Sequence, residues 1–304
     1  MTSNKQGHQS VIVDRIGYDK EGHTVYTKLG NGTETTYTYD KQRERLQVMN
    51  LTADGQTVME NRYRYDAVDN ILGITNAANP TSLTKLNKAK LGGRSMHTYE
   101  YDELNRLIHA SGKAKRASYD MVIWIQTPRS NTTPNTNPGP PVSWDDPTKH
   151  DDPQAGYGYI PNDTTKEETF FYHSDHLGST SYITDDKANI TQYDAYLPYG
   201  ELLVDEHSSS EDLPYKFNGK QFDEETGLYY YGARYMNPIT SLWYGVDRFK
   251  EKYPHLSGFN ACASNPLLFR DLNGDSLWIV NKQTNILYED HRLYNKDGSL
   301  YSGK

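Results

Sequence analysis

Pairs of tyrosines separated by one residue and followed by aspartate recur along the first 120 residues. "YTYDKQRERL" begins at Tyr37, "YRYDAVDNIL" at Tyr63 and "YEYDELNRLI" at Tyr99, and a looser copy, "IGYDKEGHTV", surrounds Tyr18 and Asp19. Alternate side chains of an extended chain share a face, so each Tyr-x-Tyr puts two rings on one side of a strand. The aspartate then opens a turn by accepting hydrogen bonds from backbone amides just beyond it. An aliphatic residue seven positions past the second tyrosine (Leu46, Leu72 or Ile108) opens the return strand. "DKEGH" (Asp19–His23), "LGNGTE" (Leu29–Glu34) and "TADGQT" (Thr52–Thr57) read as further hairpin turns. The pattern predicts a string of β-hairpins over residues 1–120. The Tyr-Asp pairs fall at 18, 39, 65 and 101, so their spacing widens and the array is not a strict solenoid. Sugar stacking is the functional alternative for these rings, but regular spacing is better explained by packing across strands.

The texture changes from Thr127 to about Lys166, where proline, asparagine and threonine dominate. Such a segment buries too little surface to offset its ordering entropy, and residues 121–168 read as an insertion or linker. "MVIWIQ" (Met121–Gln126) before it is a short apolar strand, and "HDDP" (His150–Pro153) reads as solvated charge rather than a metal site. The hairpin pattern then resumes, with "SYITD", the turn "DKAN" and the alternating "ITQYDAY". His173 and His176 lie near Asp175, but further ligands are not evident and a structural role is expected.

Composition narrows the picture. Of 304 residues, 35% are hydrophobic and mean hydropathy is −0.87, too polar for one large oily core. Yet 26 are tyrosine, far more than a disordered chain carries. Two readings stay open: extended sheet with limited two-sided burial, or a folded C-terminal module attached to poorly ordered segments. The net charge is −8, and the one short basic run, Lys113–Arg116, reads as a solvated loop, so a nucleic-acid partner is not expected. Cys262 is the single cysteine, which excludes an intrachain disulfide and a cysteine-based zinc site. No secretory signal or membrane-spanning stretch is visible, and no cofactor or metal is expected.

"YHSDHLGSTSYITD", "YLPYGE", "PYKFNGKQFDEETGLYYYGARYMNP" and "SNPLLFRDLNGD" together resemble the core domain associated with repeats of the Rhs/YD-repeat family. The earlier Tyr-x-Tyr-Asp copies look like that family's repeats. The resemblance covers roughly residues 17–275 without the proline-rich insertion. It implies a mainly β chain whose hairpins form part of an open or hollow β-shell, with a small core or plug region. It also implies a bacterial polymorphic toxin carrier that encloses or presents a C-terminal toxin, with that toxin segment, other YD-repeat chains or an immunity protein as partners. On this reading residues 1–120 are repeat hairpins, 169–275 the core, and 276–304 the start of a variable C-terminal region lacking its payload.

Some members of the family cut their own chain just after the core, using one arginine and two aspartates. The positions that match here are Arg234 in "GARY", Asp247 in "YGVD" and Asp271 in "FRDLNGD", with the scissile bond expected after Asp275. Two close carboxylates share a proton, so that one takes a proton from water while the other supplies one. This chain departs from the family's pattern: Arg248 and Leu272 stand where proline usually follows each aspartate, and Asp275 where the residue is often apolar or basic. Proline would hold the aspartates rigidly. The non-enzymatic reading, in which Asp271 and Asp247 are turn residues, is therefore the leading one. Self-cleavage and glycan or surface binding by exposed tyrosines are the alternatives. The tail after Asp275 reads as two hairpin-like pieces without a nucleophile–base pair.

Overall fold

A computed structural model of the chain describes residues 1–5, 8–123, 169–208, 213–252, 256–275, 277–280 and 287–289. Expectations for the insertion, "HDDP" and most of the tail lie outside these residues. The described chain is mainly β, and every paired strand is antiparallel. After a short hairpin (Thr2–Lys5 and His8–Val11), nine strands from Val13–Tyr18 to Ala117–Val122 pair in strict chain order. This sheet is open, with those two strands at its edges.

One turn, used repeatedly, explains why the sequence meanders. The amide of each repeat aspartate bonds a carbonyl at the far end of the turn: Asp19 to His23, Asp66 to Asn70 and Asp102 to Arg106, each at 3.0 Å. One carboxylate oxygen of the same aspartate accepts two amides, as Asp66 does from Val68 at 2.9 Å and Asn70 at 2.8 Å. The other oxygen takes the side chain that closes the turn, from His23, Arg45, Asn70 or Arg106 at 2.6–2.8 Å. Asp185 and Asn189 rebuild the same turn in the second half. Local chemistry alone reverses the chain here.

The second tyrosine of each repeat then locks one hairpin onto the one before it. Tyr39 donates its hydroxyl to the Thr24 carbonyl (3.1 Å), Tyr65 to Leu46 (2.8 Å) and Tyr101 to Ile71 (2.9 Å). In each case the acceptor is the first residue of the preceding return strand. The first tyrosine faces the core instead: Tyr63 and Tyr99 are buried.

The buried aliphatic residues are Leu46, Ile71 and Leu107, one position earlier than expected in the second and third copies. The turn after Asp40 runs to Arg45 and so holds one more residue than those after Asp66 and Asp102. A one-residue difference in a strand exchanges its faces, so equal spacing does not mark equal burial. The basic run is half strand and half turn: Lys113 and Ala114 end a strand, Lys115 and Arg116 form the turn to the next, and Lys115 pairs with Glu206 at 2.5 Å.

A four-stranded sheet from Phe171–Ser174 to Leu202–His207 packs on the nine-stranded one. Tyr182, Tyr193 and Ile190 join Leu51, Met59 and Leu107 in a shared core. His173 is buried against the Thr184 hydroxyl (2.8 Å), and His176 lies edge-on to Tyr63, so both take structural positions. A second small sheet, Gln221–Asp223 to Leu242–Trp243, has its own core of Phe217, Tyr229, Tyr231, Met236 and Trp243. Finally Phe269–Asp271 pairs with Leu277–Val280, and residues 272–275 lie in the tip of that hairpin.

Candidate functional site

The tyrosine-rich stretch Gly227–Pro238 forms two strands, Leu228–Tyr230 and Tyr235–Asn237, of the second small sheet. Alternation buries Tyr229 and Met236 beside Trp243 and leaves Tyr230 and Tyr235 facing out. The turn between the strands carries Arg234, whose guanidinium lies over the Trp243 ring at 4.3 Å. Stacking on a buried ring holds the planar cation in place and leaves its edges free to donate.

The structure brings Arg234, Asp247 and Asp271 together. One Arg234 nitrogen (Nη2) reaches Asp247 at 3.0 Å and Asp271 at 3.5 Å. Nη1 donates to the Gly258 carbonyl (3.1 Å), and Nε to the carbonyl of Gly274. Asp247 is fixed by the Phe249 amide (2.7 Å), and its own amide donates to Gly258 (2.9 Å). Asp271 caps the hairpin tip, one oxygen accepting the amides of Asn273, Gly274 and Asp275 at 2.6–3.1 Å. Asp271 is thus a turn residue that also meets the Arg234 guanidinium.

The tip is pressed onto the Arg234 turn. The Ala233 amide donates to the Asn273 carbonyl at 2.8 Å. Gly274 has φ +81°, and a Cβ there would sit 3.0 Å from the Arg234 amide nitrogen, so glycine is needed both for the bend and for the approach. Asp275 is buried as well, and its carboxylate pairs with Arg248. A cavity of about 30 Å3 lies among Arg234, Asp247, Asp271, Asn260 and Cys262, enough for a water. Burial first, then the Asp271 carboxylate, pushes the Cys262 thiol up to about 12, so it stays protonated. The arrangement can polarise a backbone carbonyl with a buried cation beside two carboxylates and a water-sized space. It offers no nucleophilic thiolate.

Two polar networks gave no sequence signal. Lys216, 1% exposed, lies between Asp194 (3.7 Å) and Asp205 (3.3 Å). Asn265 donates to the Asn70 side chain (3.1 Å) and the Asn105 carbonyl (2.9 Å), tying the segment before Asp271 to the turns of two repeat hairpins. Both pairings join residues far apart in the chain, and neither residue type announces a partner.

No family model matches the chain. It is 36% identical over 115 residues to the toxin subunit YenC2 of Yersinia entomophaga, covering 36% of this chain and 11% of that protein. It is 25% identical over 293 residues to the tRNA(Glu)-specific nuclease WapA of Bacillus subtilis subsp. natto (strain BEST195), covering 92% of this chain and 11% of the nuclease. The solved complex TcdB2-TccC3-Cdc42 shares the fold, with a TM-score of 0.68 at 17% identity over 90% of this chain and 20% of that one. These likenesses relate the chain to toxin subunits and to the nuclease WapA, and its open antiparallel sheets share the fold of part of the TcdB2-TccC3 complex. It spans about a tenth of the length of the curated relatives it matches.

Proposed function

We propose that this chain is a segment of the β-shell of an Rhs-type toxin carrier, in which residues 1–120 extend the wall and residues 169–275 form the repeat-associated core that plugs it. The segment after Asp275 is then the start of the presented cargo. The observation that carries this reading is Asn265, whose amide bridges the turns of two repeat hairpins while Leu267 beside it enters the core shared by the two large sheets. Its partners are the continuing toxin segment, further hairpins of the same kind and a neutralising protein for the payload. Hydrogen exchange on the purified full chain tests it. Amides of Leu46–Ala53 and of Ile190–Tyr196 are expected to exchange with one common opening free energy. Exchange of the two sheets as independent units would show that residues 169–275 do not plug the wall formed by residues 1–120.

A second reading, single-turnover self-cleavage, is favoured by one specific feature: both carboxylates meet the guanidinium that also binds the Gly274 carbonyl. Water would add to the carbonyl carbon as one carboxylate takes its proton. The other would protonate the departing amine as the C–N bond breaks. Intact mass after overnight incubation at neutral pH is the measurement. Cleavage is expected next to Asp275 and is expected to be abolished in Asp271→Asn. The fragment masses separate a cut at Gly274–Asp275 from one at Asp275–Ser276, and an unchanged mass in folded protein retires the reading.

A further inference from the structure

The buried carboxylate of Asp275 is not explained by the turn or by the Arg234 centre. Its side chain is 4% exposed, and an isolated carboxylate this deep is strongly disfavoured without a counter-charge. Arg248 supplies one. Its guanidinium, 67% exposed, reaches in from solvent over the ring of Phe249 at 4.9 Å and closes on the Asp275 carboxylate. The two members of this pair sit beside the two halves of the candidate centre. Arg248 follows Asp247, and Asp275 follows the Gly274 whose carbonyl Arg234 holds. A second arginine–aspartate couple therefore clamps the hairpin tip immediately after the first.

We propose that Arg248 is a positioning residue that reads the side chain at position 275 and sets the register in which the chain leaves the Arg234–Asp247–Asp271 centre. The centre thereby selects an acidic residue at the exit. Arg234 fixes the carbonyl on one side of Asp275, and Arg248 fixes its side chain, so Asp275 itself has little freedom to turn. Two anchors on successive groups, a carbonyl and a carboxylate, define an orientation that one anchor leaves open. The clamp needs a charge more than a shape, because the Arg248 end of the pair is in solvent and the Asp275 end is not. A lysine at position 248 keeps the charge and loses the planar fork. The latch rests on the self-cleavage reading for its catalytic consequence, but not for its existence.

The experiment uses the full chain with Arg248→Gln, Arg248→Lys, and the swap Arg248→Glu with Asp275→Arg. It has two readouts: intact mass against time, and amide exchange across residues 272–280. Arg248→Gln is expected to speed exchange there, and slow any self-cleavage, by about tenfold or more, because a buried carboxylate loses the arginine paired with it. Exchange in Leu46–Ala53 should not change. The lysine variant should recover part of both effects and the charge swap most of them, which a merely structural arginine would not show. If the wild-type chain stays uncut, the self-cleavage reading falls and exchange alone decides the latch. Exchange in Arg248→Gln equal to wild type, or no recovery in the swapped pair, overturns the proposal.

Discussion

At the scale of single residues, the tyrosine hydroxyls do more than solvate an exposed ring. Tyr65 bonds the Leu46 carbonyl across hairpins, and its ring also carries the Arg45 guanidinium at 5.0 Å. Tyr65→Phe keeps the ring and its cation but leaves that carbonyl short of a donor. We expect a loss of about 1 kcal/mol, read as a lower urea midpoint with an unchanged slope. Tyr18→Phe is the control: Tyr18 is 61% exposed at the sheet edge, and its midpoint should stay within error. An equal effect at both positions would mean that the hydroxyl bond contributes nothing. The aspartate of each repeat was readable from sequence because an Asx-type turn is closed by atoms within five residues. The acceptor of each tyrosine hydroxyl was not, because it lies 15 to 30 residues away.

At the scale of elements, hairpin register decides what the candidate site is. Phe269–Asp271 pairs with Leu277–Val280, so Asp275 lies in a tip with strands on both sides. A cut there would leave the downstream strand hydrogen-bonded to the core, and release would need a further unpairing step. This is why the exit segment is best followed by exchange as well as by mass. Three residues named from a family pattern (Arg234, Asp247 and Asp271) do converge, although the prolines that usually follow the aspartates are absent. Other bonds hold them here: the Phe249 amide fixes Asp247, and three tip amides surround one oxygen of Asp271. Arg248, which stands in the place of one of those prolines, is engaged with Asp275. The sequence could show two unusual residues but not that they meet.

At the scale of the molecule, the polar composition is resolved by two sheets that share one core, with buried and half-buried histidines among the tyrosines. Burial lowers the pKa of both His97 and His173 to about 4, so the folded chain keeps them neutral. The unfolded chain takes up a proton at each near pH 6.5. Their contribution to stability is therefore complete above about pH 6.5 and is lost progressively as the pH falls toward 4. At pH 5 the loss is roughly 2 kcal/mol for each histidine. Urea unfolding at pH 7 and pH 5 should show this difference, and His97→Phe should reduce it by roughly 2 kcal/mol. Equal pH dependence in the variant would mean that His97 is already protonated in the folded state. Among the described residues no helix is long and apolar enough to cross a membrane.

The sequence by itself determined what short-range chemistry can enforce. Alternation sets the faces of each strand, aspartates and glycines set where the chain reverses, and a long run of family-like motifs marks the segment that carries Arg234, Asp247 and Asp271. Tertiary structure alone decided which aliphatic residue of each repeat is buried, because one extra residue in a turn exchanges the faces of the strand that follows. It also decided the partners of Lys216, Asn265 and Arg248, which are set by how the sheets and the hairpin tip pack. A buried charge or amide must find a partner wherever the fold provides one, and distance along the chain places no limit on where that is.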